Sequence, residues 1–230
     1  MKDPLIYYYE KYGIDQKTIE KIVIGEKYTA VLLNNGNIGV CANLNYKPDN
    51  VSLDNIHPLK PEDRIILTAY YNAYFNYNND YEYQKDIYDT IDFKRYNNVV
   101  MIGYFQSLVE KFRNEKISLK IFDYLTDNKD LTDMSLQKQH VSNADCLIIS
   151  ATTLINNTFT GLISDTNSCD IFLLGPSSTL NKEIFSISKI RFIFGSIFKN
   201  GDKNLLDIIE KGGGTPDFKH LMKKVYIDNY

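Results

Sequence analysis

Short apolar runs alternate with helical patterns along the second half of the chain. Runs typical of strands buried on both faces occur in NVVMIGYF (98–105), SLKIFDYL, ADCLIIS, DIFLLGP and KIRFIFGSIF. The segments SLVEKFRNEK, TLINNTFTGLI and NLLDIIEKGGG between or after them carry helical patterns. This alternation indicates an α/β fold with an open, mostly parallel sheet that is covered on both faces. We therefore expect a Rossmann-like domain over residues 93–230.

The first half has a different pattern. Two β-rich runs flank Asn35-Gly36, and an Asn-Gly dipeptide in this setting is a strong hairpin signal. The segment EDRIILTAYYNAYFNY after Pro61 places apolar residues on one helical face. Strands followed by a helix predict a small α+β domain. Residues 78–97 are polar and tyrosine-rich, so we interpret them as a connector and place the boundary near 92, which makes 1–92 the first domain.

Polar residues follow the ends of the predicted strands in the second domain. In open α/β sheets, ligands bind beyond the carboxyl ends of the strands, near the following helices. The first strand ends at Gly103, in a segment that lacks the GxGxxG fingerprint of dinucleotide sites. The second ends at Asp123, at the spacing at which a carboxylate can contact a ribose hydroxyl. An ordinary turn residue is the alternative interpretation of Asp123.

The stretch SATTLINNTF, residues 150–159, follows the third strand. One hydroxyl, from Thr152 or Thr153, would suffice to cap the next helix. A cap does not account for the other uncharged polar groups, and asparagine is a poor helix former. Helix caps on a polar surface remain one interpretation, and a ligand-facing surface is the other. The candidate ligand-binding residues here are Ser150, Thr152, Thr153, Asn156 and Thr158.

Two glycine-containing segments add further candidates. The fourth strand ends in a Gly-Pro-Ser-Ser-Thr turn that could present N–H groups to a carboxylate, a phosphate or another oxyanion. A plain turn with a helix cap fits the same pattern equally well. A run of three glycines exceeds the single glycine that a helix end requires, so it could allow close approach to a ligand or a neighbouring domain. The candidates are Gly175, Pro176, Ser177, Ser178 and Gly213.

Composition and charge limit the class of partner. The formal net charge is −3, with 43% hydrophobic and 24% charged residues, which argues against a nucleic-acid or anionic-membrane partner. The apolar runs are far shorter than the roughly 20 residues needed to cross a bilayer. Cys41, Cys146 and Cys169 are widely spaced within apolar runs, so we expect reduced, buried thiols in a cytoplasmic protein.

The sequence lacks the common catalytic motifs HExxH, CxxC, GxSxG and the Walker loop. Its three histidines, His57, His140 and His220, are far apart and lie in loops or polar segments. No nucleophile stands beside a base at a recognisable spacing. The residues by themselves indicate an uncharged polar cleft and do not define a reaction.

Several motifs, taken in order, resemble those of one protein family. G-Y-F-x-S-L, A-D-C-L-I-I-S-A-T-T-L-I-N-N-T, L-L-G-P-S-S and the late G-G-G are similar to the "putative heavy-metal chelation" proteins. In the first half, I-G-E-K-Y-T-A-V-L-L, G-x-I-G-V-C-A and A-Y-Y-N-A-Y extend the resemblance over nearly the whole chain. Two positions depart from the family pattern: Gln106 and Thr179 stand where the family usually has proline.

The resemblance implies an enolase-N-terminal-like domain followed by a Rossmann-like domain, with the site between them and Asn72 contributing from the first. It implies a binding protein for a small anionic metabolite or a metal complex. The cofactor would be a transition or heavy metal ion with an organic chelator, although the sequence offers no cage of Cys and His for a soft metal. The alternative is an enzyme, a transferase or lyase with a nucleotide-like cofactor on the Rossmann-like half. Neither nucleic acid nor a membrane is expected as a partner, and a homodimer is left open.

Overall fold

Two β-sheets organise the protein, in the order that the sequence predicts. The structure is a computed structural model that describes residues 2–79, 81, 85–124 and 128–229. A three-stranded antiparallel sheet comes first, and a six-stranded, mostly parallel sheet follows. The predicted α/β class, a small α+β unit followed by an open sheet, is therefore confirmed.

The N-terminal unit packs helices against its antiparallel sheet, whose strand order is β1-β2-β3. The turn between β2 and β3 contains Asn35-Gly36, as predicted, and Gly36 has a φ of 87°. This left-handed conformation favours glycine. The elements are α1 (Pro4–Tyr12), β1 (Ile19–Ile24), β2 (Tyr28–Leu33), β3 (Ile38–Ala42) and α2 (Pro61–Phe75).

Two elements of this unit differ from the sequence prediction. The first β-rich run forms two strands, because the chain turns at Gly25, whose N–H donates to the carbonyl of Tyr28 at 2.9 Å. Helix α1 was not predicted. The carboxylate of Asp3 caps it by accepting from the N–H groups of Leu5 and Ile6, a signal that apolar periodicity does not report.

The C-terminal unit is built on the sheet β5-β4-β6-β7-β8-β9. Numbered within this sheet in chain order, the strands run 2-1-3-4-5-6, a doubly wound order distinct from the 3-2-1-4-5-6 order of dinucleotide-binding domains. β4 to β8 are parallel, and β9, which was not predicted, is antiparallel to β8. The chain reverses its winding between β4 and β6, which makes that position the switch point where doubly wound folds bind ligands.

The strands of this unit are β4 (Val99–Ile102), β5 (Leu119–Phe122), β6 (Cys146–Ser150), β7 (Asp170–Leu174), β8 (Ile190–Ile197) and β9 (Lys223–Asp228). The helices are α3 (Ile87–Thr90), α4 (Gln106–Asn114), α5 (Gln137–Ser142), α6 (Phe159–Ser164), α7 (Ile184–Ile187), α8 (Lys203–Glu210) and α9 (Thr215–Phe218). Of the helices in the described ranges, none is long and apolar enough to cross a membrane.

Two predicted segments have a different structure. The helix expected over TLINNTFTGLI is instead a 3-10 turn at Ala151–Leu154 followed by the short α6, because polar side chains bond the backbone between them. The expected connector 78–97 contains α3 and a 3-10 turn at Phe93–Arg95. Residues 80 and 82–84 of that connector, and Leu125 of the expected second strand, lie outside the described residues.

Helix α2 lies at the centre of the molecule and joins the two sheets. Its side chains belong to a buried cluster that also contains residues of β4, β6 and β7. The helix approaches β3 so closely at Gly39 that a Cβ there would lie 2.1 Å from the carbonyl oxygen of Ala69. On the opposite face of the small sheet, α8 packs against β1 and β2. The domain boundary near residue 92 stays a prediction, since a helix from the second half covers the first sheet.

Candidate functional site

Three adjoining cavities lie at the carboxyl edge of the parallel sheet, and Phe105 borders all of them. The main cleft, of about 640 Å³, lies between the two units. The switch-point pocket, of about 260 Å³, lies between the ends of β4, β5 and β6. The apolar pocket, of about 430 Å³, lies beside β8 and β9. The main cleft is bordered by Tyr28, Tyr104, Phe105, Gln106, Ser107, Glu110, Ser150, Ala151, Thr152, Leu174, Gly175, Pro176, Ser177, Thr215, Pro216 and Lys219.

Helix α4 begins at the wall of the main cleft. Its N-cap residue, Phe105, makes no side-chain cap, and its first turn contains no acidic residue. The positive end of a helix dipole, with N–H groups that no side chain caps, favours an anion at this position. The exposed Lys219 borders the same cleft and adds a positive charge.

Hydroxyls at the carboxyl end of β6 cap the amino-terminal end of the 3-10 turn that follows. Ser150 Oγ accepts from the N–H of Thr152 at 3.3 Å, and Thr153 Oγ1 donates to the Ser150 carbonyl at 2.8 Å. Ser150 and Thr153 are buried, whereas Thr152 is partly exposed and borders both the main cleft and the switch-point pocket. Capping therefore accounts for two of these residues, and Thr152 is the one best placed to contact a ligand.

Asn156 and Thr158 form a local pair at the switch-point pocket. Asn156 Oδ1 accepts from Thr158 Oγ1 at 2.7 Å and from the Thr158 N–H at 3.3 Å. The neighbouring Asn157 has a left-handed φ of 59° and donates from Nδ2 to the Leu59 carbonyl. The polar run thus both bends the chain and borders a pocket. Some of its residues act as caps, as the first interpretation holds, and others face a cavity, as the ligand-binding interpretation holds.

Gly103 and Asp123 shape the same pocket. Gly103 has a φ of 98°, and a Cβ there would lie 2.8 Å from the Cβ of Ser150, so the close approach of the β4 and β6 ends requires glycine. Asp123 Oδ2 accepts from the Tyr104 N–H at 2.6 Å, and its Oδ1 accepts from the Tyr124 N–H at 2.6 Å. These bonds match the turn interpretation, while the remaining lone pairs of the carboxylate border the pocket.

Most hydroxyl groups of the turn after β7 make contacts between the two units or are buried. Ser177 Oγ accepts from the Ala42 N–H of β3 at 3.0 Å, and Thr179 Oγ1 donates to Asn72 Oδ1 at 2.6 Å. The Ser178 side chain is fully buried. The main cleft is reached by Gly175, Pro176 and Ser177 alone among the described residues of this turn.

Asn72 does not face the cleft, contrary to what the resemblance implies. It is 1% exposed, and its Nδ2 donates to the Val40 carbonyl at 2.9 Å. One helical turn later, Asn76 donates from Nδ2 to the Ser178 carbonyl at 3.0 Å and accepts from the Leu180 N–H at 2.7 Å. The pair ties α2 to the β7 turn. The i, i+4 spacing of these two amides along the apolar and aromatic second half of α2 is the signal that could have identified both.

Gly213 is explained by the end of α8. The Gly212 N–H donates to the Ile209 carbonyl at 2.9 Å, and the Gly213 N–H donates to the Ile208 carbonyl at 2.8 Å. With Gly212 at a φ of 83°, these bonds form a Schellman motif. A Cβ on Gly213 would lie 2.4 Å from Ile208 Cγ2, so close packing within the helix end requires this glycine. Gly213 borders none of the three cavities.

Sequence reasoning missed the residues that close the cleft from the other side. Tyr28 of β2 borders the main cleft, and its hydroxyl lies 2.7 Å from Thr215 Oγ1 of α9. Burial raises the pKa of Tyr28 to about 12, so it remains a neutral hydroxyl. A tyrosine in a strand and a threonine after glycines carry no functional pattern, because their proximity arises only from tertiary packing.

Comparison with known proteins assigns the chain to a family. Two sequence profiles, both described as "Putative heavy-metal chelation", match residues 7–77 and 86–228. The chain belongs to this family. Among curated proteins, none matches the chain.

Two solved structures of heavy-metal chelation family members, each described as a protein of unknown function, share the fold. One, from Pyrococcus horikoshii, is 21% identical, with 92% of this chain and 93% of the other aligned at a TM-score of 0.78. The other, from Desulfitobacterium hafniense DCB-2, is 17% identical, with 98% of each chain aligned at a TM-score of 0.78. At this level of identity the similarity shows the fold.

The family description raises the question of whether this chain can ligate a metal directly. In the part of the chain that the structure describes, no group of three or more His, Cys, Asp or Glu side chains is arranged to hold a metal ion. Burial raises the pKa of the Cys41 and Cys169 thiols to about 12 and that of the Cys146 thiol further. Because none of these thiols lies within such a group in the described part of the chain, they do not form a soft-metal site.

Proposed function

We propose that this protein binds a small anionic organic molecule, alone or as a metal complex, in the main cleft. The observation that carries the proposal is the chemistry of the cleft wall. Hydroxyls, an uncapped helix N-terminus and one lysine surround a cavity of about 640 Å³, a volume within the range of small-molecule sites. The same region supplies no metal-ligand group among the described residues.

The cleft has groups that recognise an oxyanion. Thr152, Ser107 and Thr215 bring hydroxyls to its border, and the start of α4 brings backbone N–H groups. Such groups hold and orient a carboxylate or a phosphate. The acidic side chain at the border, Glu110, is exposed and accepts a hydrogen bond from Gln106 Nε2 at 3.0 Å. Uncharged hydroxyls orient a ligand well and do not by themselves perform acid–base chemistry, which favours binding over catalysis.

A metal bound by this protein would arrive with ligands of its own. An organic chelator that carries carboxylates can satisfy the metal and still offer oxygen atoms to the cleft. The protein would then recognise the complex through the carboxylate oxygens of the chelator. A free metal ion would bind weakly, because the cleft offers it few ligands. This reconciles a heavy-metal description with a cleft that lacks metal ligands.

The test is a thermal-unfolding series with zinc chloride, with citrate and malonate as chelating anions, and with each anion plus zinc. We expect the midpoint of unfolding to rise with an anion or its zinc complex, because a ligand that binds only the folded state stabilises it. Zinc chloride alone should leave the midpoint unchanged. An equal rise with zinc in the presence and absence of the anions would contradict the proposal.

A matched pair of variants locates the binding site. Thr152→Val removes a hydroxyl from the border of the main cleft while keeping the side-chain shape, and it should reduce the anion-dependent rise. Thr160→Val makes the same change on α6, at a residue that borders none of the three cavities, and should leave the rise intact. Equal effects of the two variants would place the anion elsewhere.

The switch-point pocket supports a second candidate function, an enzyme that uses a nucleotide-like cofactor. The pocket lies where the winding of the sheet reverses, and Asp123 stands at its border after β5. Adenosine-containing ligands should then raise the unfolding midpoint, and Asp123→Ala should abolish that rise. No rise across AMP, ATP, NAD and S-adenosylmethionine would rule this candidate out.

A further inference from the structure

The apolar pocket is a feature that anion binding alone leaves unexplained. It has a volume of about 430 Å³ and opens beside the main cleft. Its walls carry large apolar side chains from the start of α4, the ends of β7 and β8, and the residue before β9. They include Phe105, Leu108, Leu174, Phe194 and Met222. A small hydrophilic anion would make no use of this surface.

The apolar pocket and the main cleft share a wall. Phe105, Leu174 and Lys219 border both cavities. Lys219 thus brings a positive charge to the boundary between them. Two further lysines border the apolar pocket: the Lys224 ammonium is paired with the Asp86 carboxylate at 2.6 Å, and Lys85 has an interaction of its own. The charge arrangement therefore favours an anionic group on the side of the main cleft.

An unsatisfied hydroxyl marks the inner part of the apolar pocket. Ser196 borders the pocket near the end of β8 and is 5% exposed. Its Oγ has no hydrogen-bond partner among the described residues. Because this Oγ has almost no solvent-accessible surface, Ser196 borders the pocket through its other atoms and does not define a contact with a ligand.

We propose that the ligand is amphiphilic, with an anionic group in the main cleft and an apolar chain or ring in the apolar pocket. The anionic group lies near the α4 N-terminus and Lys219, and the apolar part lies between Phe105 and Phe194. This inference rests on the proposed function, because it names the chemical class of the anion that the main cleft binds.

A homologous series of straight-chain carboxylates, from acetate to decanoate, tests the inference by isothermal titration calorimetry below micelle-forming concentrations. Each methylene that enters the apolar pocket should tighten binding about fourfold, as expected for transfer of one methylene out of water. The gain should stop when the pocket is full. Succinate and citrate serve as anions without an apolar part, and their binding reports on the main cleft alone.

Met222→Trp provides the structural control. Met222 borders the apolar pocket and neither of the other cavities, so a bulkier side chain there should fill the pocket and spare the main cleft. The dependence on chain length should disappear while citrate binding persists. Met222→Phe is the milder form if the tryptophan variant does not fold. Leu59→Trp makes a comparable change at a residue that is 68% exposed, and it should retain the dependence.

The outcomes separate the inference from the proposed function. Affinity that rises with chain length in the native protein and not in the Met222 variants supports the inference. Binding of citrate and acetate with no further gain for longer chains overturns it and leaves the proposed function standing. A chain-length gain that survives in the Met222 variants also overturns it, since the apolar part then lies elsewhere. No binding of any anion overturns both.

Discussion

Two hydroxyl-rich turns follow neighbouring strands of the parallel sheet, and they serve different purposes. The turn after β7 uses Ser177 and Thr179 to bond β3 and α2, and most of its polar side chains are buried. The stretch after β6 keeps Thr152 partly exposed at the border of two cavities. The first turn joins the two units, and the second faces the site where a ligand binds under our proposal.

The difference arises from what lies opposite each turn. Helix α2 brings Asn72 and Asn76 to the β7 turn, where their amides match its hydroxyl and carbonyl groups. The β6 stretch lies at the switch point, where the chain leaves the sheet in opposite directions and a gap remains. The same residue types therefore either join the two units or line a binding site. Which of the two they do depends on whether a segment distant in sequence packs against them.

The largest expected effect on stability concerns Arg64, whose side chain bonds the backbone of the stretch after β6 at Leu154. Its guanidinium is fully buried and donates to the carbonyls of Leu154 and Pro58 and to the Asp3 carboxylate. Arg64→Met would remove the donor to Asp3 Oδ2 and to the carbonyls of Leu154 and Pro58, and we expect a loss of about 3–5 kcal/mol in the free energy of unfolding.

Urea denaturation measures this loss, and Lys60→Met, at an exposed residue of the preceding turn, is the control. A change below about 1 kcal/mol for Arg64→Met would show that the β6 stretch does not depend on the buried cation.

Next in size is the effect of removing the bridge to the β7 turn. Asn72→Ala leaves the Val40 carbonyl and the Thr179 hydroxyl without a partner in a buried site, so we expect a loss of about 2–4 kcal/mol. Asn78→Ala removes an exposed amide shortly after the same helix and should change stability little. Equal denaturation midpoints for the two variants would contradict the assignment of Asn72 as a bridge.

A double comparison of two threonines separates the roles of the turns. Thr179→Val removes a buried hydroxyl and should lower the free energy of unfolding by about 1–2 kcal/mol without changing anion affinity. Thr152→Val should change stability by less than about 1 kcal/mol and weaken anion binding about tenfold. Chemical denaturation and calorimetry measure both quantities. The opposite pattern would reverse the roles that we assign to the two turns.

The smallest expected effect is a slow chemical reaction. Cys41 donates from Sγ to the carbonyl of Ala42 at 3.5 Å, next to the N–H that bonds Ser177, and burial raises the pKa of its thiol to about 12. At pH 8 only about one thiol in ten thousand is then ionised, far fewer than at the ordinary pKa of about 8.5. Cys169 is partly exposed, contrary to the sequence-based expectation of a buried thiol, so a Cys169→Ser variant restricts the readout to the two buried thiols. With this variant, Ellman's reagent should react slowly with the folded protein and quickly after unfolding. A rapid phase in the folded protein would show an accessible thiolate and reopen direct ligation of a soft metal.

Local sequence patterns foretold much of the fold. Apolar runs located the five parallel strands, and Asn35-Gly36 located the hairpin between β2 and β3. The pattern missed β9, which pairs with β8 on one side only. Its first two residues, Lys223 and Lys224, are charged, so the strand does not stand out as an apolar run. Edge strands carry charge for solubility, so an apolar run is the wrong signal for them.

The site was less predictable than the fold. The rule that ligands bind beyond the carboxyl ends of the strands led to Thr152 and Gly103, which border cavities. The family resemblance led to Asn72 and the run of glycines led to Gly213. Neither signal could show that Asn72 is buried in a bridge and that Gly213 closes a helix end, because both depend on tertiary contacts. Residues such as Tyr28 reach the cleft from the N-terminal unit, and no local sequence pattern around them indicates a site.

The most direct test of the central claim is native mass spectrometry of the protein as purified from cells without added chelators. The account predicts one small organic anion per chain, with any metal present only together with that anion. Gentle collisional activation should release the two as one complex. A metal ion that remains on the chain with no organic component would contradict the account, because it would require a ligand set that the described residues do not provide.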